Sequence, residues 1–181
     1  MIDCDSIIDK YYGKSSRLRT ILTVHSRLVA DKALACARAR GLDVDLTFVE
    51  EAALLHDIGI FLCDAPDICC TGTLPYICHG VEGRRLLEAE GLPRHALVCE
   101  RHTGSGLTVD DIVRQGLPLP HRDMTPQTLE EKLVCYADKF YSKSGDIRAE
   151  KSFDRVVKSI ARHGEEAEAR FMNLHQQVGI I

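Results

Sequence analysis

The run Phe48-Val49-Glu50-Glu51-Ala52-Ala53-Leu54-Leu55 is an apolar helical pattern, and it ends in His56-Asp57-Ile58-Gly59. That ending restricts the fold more than any other stretch of the chain. It sets an imidazole and a carboxylate side by side where a core helix stops. Burying both is costly unless something pairs them. A divalent cation would do so, because neutral imidazole and ionised carboxylate are both metal ligands. The question is then whether the rest of the chain supplies the other ligands.

The surrounding pattern is helical almost throughout. From Ser15 to Arg40, apolar residues fall at Leu18, Ile21, Leu22, Leu28, Val29, Ala33 and Cys36, the stripe of an amphipathic helix. Ser15 or Ser16 can cap its start, and Gly41 follows its end. Asp45 can cap a second helix that runs to the His-Asp pair. After a loop with Pro66, Gly72 and Pro75, His79 to Glu90 reads as a third helix closed by Gly91. Pro93 opens a fourth, ending near Thr103-Gly104. Residues 105–125 are rich in Gly and Pro, with a helical patch at Val109 to Arg114. Thr125-Pro126 looks like a helix start, a cap followed by Pro at the first helical position, for a fifth helix running to about Ser142. The tail from Ser152 to Val178 reads as one or two amphipathic helices broken at Gly164. No segment alternates like a strand, and no repeat is present. The expected fold is all-α. At 181 residues the chain is expected to be a single domain, with a core of about 15–145 and a helical extension of about 152–178.

Composition excludes several functions. The 45% hydrophobic content suits a chain with a real core, and a net charge of -4 provides no basic field, so no nucleic-acid surface is expected. The start, Met1-Ile2-Asp3-Cys4-Asp5, is acidic and lacks the apolar run of a signal peptide. No stretch approaches the roughly 20 apolar residues needed to cross a bilayer. The reading is a cytoplasmic protein without membrane contact. Among the eight cysteines no C-x-x-C pair occurs. Cys36, Cys99 and Cys135 fit core positions. Cys4 stands near the start, and Cys63, Cys69, Cys70 and Cys78 cluster in a loop, read as reduced thiols.

The remaining ligands can be sought on helices and helix ends. His25 shares the apolar stripe of the first long helix. His79 lies at a helix start, His102 near a helix end, and Asp138 in the otherwise apolar Cys135-Tyr136-Ala137-Asp138. Each has an ordinary explanation alone: a core histidine, a cap, a polar end, a carboxylate paired with Lys139. Together they supply four His and two Asp from facing helices, the way helical proteins build metal sites. Six such ligands suffice for two metals if one carboxylate bridges, and Asp57 is the natural bridge because its neighbour His56 must bind one of the same ions.

The ordered set His25, His56-Asp57, His79, His102, Asp138 resembles the signature of the HD-domain superfamily of metal-dependent phosphohydrolases, and His56-Asp57-Ile58-Gly59 matches its HDIG variant. His79-Gly80-Val81-Glu82-Gly83, His102-Thr103-Gly104 and Leu129 to Asp138 resemble the branch with two metals, in particular bacterial HD-type symmetrical dinucleoside-tetraphosphate hydrolases. The resemblance covers about residues 20–142. The chain departs from those hydrolases at Ile58-Gly59 and in the segment Leu107 to Gln127, so it is also similar to a less characterised HDIG group.

The resemblance implies an HD-domain helical bundle with the metal site in its core, and a hydrolase acting on a nucleotide or related phosphate ester or anhydride. A hydroxide bridging two divalent ions would be the nucleophile, with His56 and Asp57 as catalytic residues. One ion would take His25, His56, Asp57 and Asp138, and the other Asp57, His79 and His102. Iron or manganese comes first from the resemblance, with zinc, nickel, cobalt or magnesium as alternatives; four imidazoles count against magnesium, which prefers oxygen. A phosphorylated substrate also needs cations. Arg27, Lys32, Arg101, Arg122, Lys139 and Lys143 are candidates, of which Arg101, Arg122 and Lys139 are favoured, with His121 beside Arg122. The segment 105–125 is read either as a lid or pocket wall, or as packing over the helices. The tail could cap the core or form a homodimer surface. The alternative activity is that of an HD-type mixed-valent di-iron oxygenase acting on a small organic substrate.

Overall fold

In the computed structural model, which describes residues 2–14 and 16–180, nearly every ordered element is a helix, as the periodicity predicts. Met1, Ser15 and Ile181 lie outside the described residues. The first helix, α1 (Cys4–Tyr12), is one the sequence pattern does not announce; Asp3 caps it by accepting from Ser6 N at 3.0 Å. It buries Cys4, Ile8 and Tyr12, a four-residue spacing that lays one narrow face on the core.

The long helix α2 (Arg17–Ala39) starts at the Ser16 cap, which accepts from Arg19 N. Its buried stripe includes Ile21, Leu22, His25, Val29, Ala33 and Cys36. Asp45 caps α3 (Leu46–Leu55), and His56 is its C-cap. A short 3-10 turn (Ile60–Leu62) leads to a small antiparallel pair, β1 (Asp64–Ala65) and β2 (Cys70–Thr71), which the sequence did not suggest. Two-residue strands are too short to show alternation.

Helix α4 (His79–Ala89) and helix α5 (Pro93–Arg101) follow, packed together across a short turn whose Gly91 has φ +75. Their contact is close because Gly80 and Gly83 face Cys99: a Cβ on Gly80 would sit 2.6 Å from Cys99 O, and one on Gly83 3.2 Å from Cys99 Cβ. The short helix α6 (Val109–Arg114) carries a Thr108/Asp111 capping box. With the Leu107–Met124 bridge, it packs Ile112, Leu119 and Met124 against Cys78 and Val81. The segment 105–125 thus packs over the helices.

Helix α7 (Leu129–Asp138) begins later and ends earlier than the sequence suggests. Thr128, not Thr125, is its cap, accepting from Glu131 N at 3.2 Å, while Glu131 turns back to accept from Gln127 N at 2.6 Å. Pro126 instead packs against Gly106. Helices α8 (Phe153–Ala161) and α9 (Glu165–Val178) form the tail, separated at Gly164 as expected. The tail caps the core: Phe171, Leu174 and Val178 join α2, α3 and α7 in the largest apolar cluster. A second cluster gathers α1, the end of α3 and parts of α4 and α5. Along α2, Leu22 belongs to the second cluster and Val29 to the first, and His25 stands between them. Among the described residues, no helix is long and apolar enough to cross a membrane.

Candidate metal centre

Five segments converge where the two apolar clusters meet. His25 comes from the middle of α2, His56 and Asp57 from the end of α3, His79 from the first turn of α4, His102 from the C-cap of α5 and Asp138 from the last residue of α7. All six are buried, Asp138 the most exposed at 8%.

The helix ends orient three of the histidines in the same way. His56 Nδ1 lies 2.7 Å from Ala53 O, His79 Nδ1 2.6 Å from Tyr76 O, and His102 Nδ1 2.7 Å from Cys99 O. Each acceptor is the carbonyl three residues back. A carbonyl only accepts, so each Nδ1 carries the proton and donates it. That aims Nε2 of each ring inward, where it can ligate a metal once it carries no proton.

Asp57 divides its two oxygens between two groups. Oδ2 is 3.3 Å from His25 Nε2 and 3.2 Å from His56 Nε2; Oδ1 is 3.4 Å from both His79 Nε2 and His102 Nε2. Asp138 Oδ1 completes the first group, 2.9 Å from His25 Nε2 and 3.5 Å from His56 Nε2. The donors therefore form two clusters, His25-His56-Asp57-Asp138 and Asp57-His79-His102. Bonds of about 2.1 Å around one ion would put neighbouring donors about 3.0–3.4 Å apart. The observed spacings, 2.9–3.5 Å, are centred on that range.

The donor set also calls for cations. His56 Nε2 and both Asp57 oxygens are buried without an aligned hydrogen-bond partner, and such groups are costly inside a protein. His79 Nε2 and His102 Nε2 face each other at 3.0 Å, two lone pairs in contact when both Nδ1 atoms hold their protons. A cation between them and Asp57 Oδ1 resolves that conflict. His25 differs, because its Nδ1 is buried without a partner.

Electrostatics sharpen the contrast between the groups. Burial drives His79 down to about 3, against the opposing pull of Asp57, and burial likewise lowers His102. For His56 burial also acts downward, but Asp57 and Asp138 outweigh it and raise the ring to about 9. Burial would raise both carboxyls. Lys143 and His56 overcome it at Asp57, and Lys139 and Lys143 at Asp138, so both are held well below the usual carboxylate range.

A cleft of about 450 Å³ adjoins the first group, with Asp138 in its wall. Lys139, Lys143 and Lys151 line it, together with Tyr76, Tyr141 and three serines, Ser142, Ser144 and Ser159. Of the cations favoured from sequence, only Lys139 is in this lining; its Nζ donates to His102 O at 3.0 Å and lies 2.6 Å from Asp138 Oδ2. Arg101 is engaged with both carboxylate oxygens of Glu131, and Arg122 donates through Nε to Glu100 at 3.0 Å. His121 is exposed and outside the lining. Arg27 and Lys32 pair with Glu50 and Glu150. Sequence reasoning named Lys143 as a candidate cation without favouring it, and passed over Lys151, Tyr76 and Tyr141. A Lys five residues past a ligand Asp is visible in the sequence, but the return of the loop that follows is not.

The cysteines take no part. All eight are free thiols, burial pushes Cys63 up to about 12 and Cys70 up to about 11, and neither ligand cluster contains a cysteine.

Residues 23–143 match the family model described as HD domain. The chain is 33% identical over 152 residues to a tRNA (cytidine(56)-2'-O)-methyltransferase of Thermoplasma volcanium, covering 83% of this chain and 40% of that protein. It is 30% identical over 138 residues to a protein of the same description from Picrophilus torridus, covering 76% of this chain and 36% of the other. An uncharacterised protein of Methanocaldococcus jannaschii is 38% identical over 100 residues, 55% of this chain and 52% of that one. The chain thus spans between about a third and a half of the curated relatives it matches. No solved structure matches it.

Proposed function

We propose, from the fact that the chain belongs to the HD domain family, that it is a dinuclear metal-dependent phosphohydrolase. Its substrate would be a small phosphorylated molecule, a nucleotide first. The observation that carries this reading is Asp57, whose two oxygens face two separate groups of histidines. A carboxylate so placed suits a bridge between two ions. His25, His56, Asp57 and Asp138 would hold one, and Asp57, His79 and His102 the other, with iron or manganese favoured. When bound, such ions supply Lewis acidity and make water a nucleophile near neutral pH.

The chain's own residues account for the rest. The three Nδ1–H···O=C bonds keep His56, His79 and His102 in the ligating tautomer. Lys139, Lys143 and Lys151 give the cleft the positive charge that phosphate oxygens require. Burial raises the hydroxyls of Tyr76 and Tyr141, so both stay protonated and can donate to those oxygens. In this reading residues of about 15–145 are the hydrolytic domain, and 152–178 are an extension that completes its core.

The test is elemental analysis of purified protein together with a phosphate-release screen over nucleotides and dinucleoside polyphosphates. Wild type is expected to hold two ions per chain. Asp57→Ala should lose both ions and the activity, while His79→Ala and His102→Ala should each lose about one. If Asp57→Ala keeps its metal and its activity, the reading fails. Two of the relatives are described as tRNA methyltransferases, which favours a second reading, in which the phosphate belongs to a tRNA. A tRNA arm in the same screen separates the two, since release from tRNA but from no small nucleotide would favour it.

A further inference from the structure

Lys143 lies closer to Asp57 than any of the histidines do. Its Nζ is 2.6 Å from Oδ2, in a geometry too poorly aligned for a hydrogen bond, and its side chain is only 13% exposed. That oxygen is the one turned toward His25 and His56. The ammonium therefore stands beside the donors of the first ligand group and neutralises the carboxylate both groups share. A divalent ion held by Oδ2 would face this like charge across a single oxygen atom, an arrangement that repels strongly in a buried site. Lys143 also has an escape route. It lines the cleft, its flexible four-carbon stem allows the head group to swing, and Gly145, with φ +70, lies two residues on.

We propose that Lys143 is a built-in counter-cation. Its ammonium holds Asp57 in the metal-free protein, competes with metal for that carboxylate, and is turned out into the cleft when metal binds. Metal loading then delivers a positive charge to the place where an anionic substrate would bind, so the centre and its substrate cleft are armed in one event. The proposal rests on the metal-centre reading and adds a role for a residue outside the ligand set.

The test compares wild type, Lys143→Met and Lys143→Arg after stripping with a chelator. Manganese and zinc are titrated against a fluorescent competitor. Lys143→Met, which keeps the stem and removes the charge, is expected to bind the first ion about tenfold more tightly, roughly 1.4 kcal/mol. Lys143→Arg should bind as wild type does. Metal-free Lys143→Met should melt below metal-free wild type, and the gap should close on metal loading.

A second measurement needs no variant. Lysine acetylation of wild type, read by mass spectrometry, should mark Lys143 faster in the metal-loaded protein than in the metal-free one. The proposal is overturned if Lys143→Met binds metal no more tightly than wild type, or if metal leaves the labelling of Lys143 unchanged. Wild type that takes up no metal overturns the metal-centre reading itself, and this proposal with it.

Discussion

Gly59 shows what single residues contribute around the centre. A Cβ there would collide with the carbonyl of His79 and lie 2.6 Å from Gly83 N, both backbone atoms of α4. The absent side chain lets α4 approach the end of α3 closely enough for His79 to reach Asp57. Its neighbour Ile58 is fully buried, and its carbonyl accepts from Tyr12 OH at 2.7 Å, which ties α1 to the same turn. The sequence presents Ile58-Gly59 as a family variant; the structure makes it a spacing device. Gly59→Ala should destabilise the protein by about 1–3 kcal/mol. On the two-ion reading it should also weaken binding at Asp57, His79 and His102 before binding at the other group. Denaturation curves and metal stoichiometry check both, and an unchanged metal content would sink the spacing argument.

His95 supports a different prediction at this scale. It is 8% exposed, with Nε2 3.3 Å from Glu51 Oε2, and burial outweighs Glu51 to lower its pKa. A histidine depressed in the folded state binds protons more readily when unfolded. Its contribution to stability is complete above the unfolded value of about 6.5 and is lost as pH falls below it, through the lower folded value. His95→Gln removes that dependence. Urea denaturation should show the stability difference between wild type and variant shrinking from pH 7.5 to pH 5.5. All six buried donors of the two clusters were legible in the sequence because their residue types are unusual on apolar helices. Lys143 was harder to single out, because lysine is common on every surface and only the path of the loop after α7 brings it back to Asp57.

At the scale of elements, local chemistry decided most helix starts, and the errors are informative. Ser16, Asp45 and Thr128 all cap by accepting from an amide three residues on. Thr125-Pro126 has the same local grammar as Thr128, but Glu131 can reach back to Gln127 only from a helix that starts at Leu129. Tertiary contact between Pro126 and Gly106 settles the choice. Thr128→Ala should cost about 1 kcal/mol. The tail is a larger case. Its amphipathic pattern was plain, yet periodicity does not say which surface an apolar face covers. Phe171, fully buried and stacked 5.5 Å from Tyr136, shows that α9 closes the core over α7. Phe171→Ala should cost about 3–5 kcal/mol, measured by chemical denaturation, against a few tenths for a substitution at exposed Met172.

For the molecule as a whole, the centre sits between two apolar clusters and holds buried carboxylates and imidazoles together. Ions that bind only the folded state add stability by mass action, about 2.7 kcal/mol at a hundredfold excess over Kd. For a chain of this size that corresponds to a melting point about 5–11 °C higher. Thermal melts with saturating manganese and with excess chelator should differ by that amount, and coincident melts would show that the folded protein holds no ion. The all-α class was legible because helical periodicity runs through nearly the whole chain. The meeting of the two clusters was not, because it depends on which faces of α2 each neighbour covers.

The proposed ligand ring would also fix an order of events. His25 and Asp138 are 113 residues apart, and the other ligands come from three further segments between them. A partly folded chain does not offer the complete set, so on the two-ion reading both sites are complete only once all five segments have packed. On that reading the ions would enter a folded protein, from the cleft whose wall includes Asp138. The metal it took up would then depend on the supply it meets after folding as well as on the preferences of its imidazoles. The same polypeptide made in iron-rich and in manganese-rich cells should emerge with different metals in an otherwise identical fold.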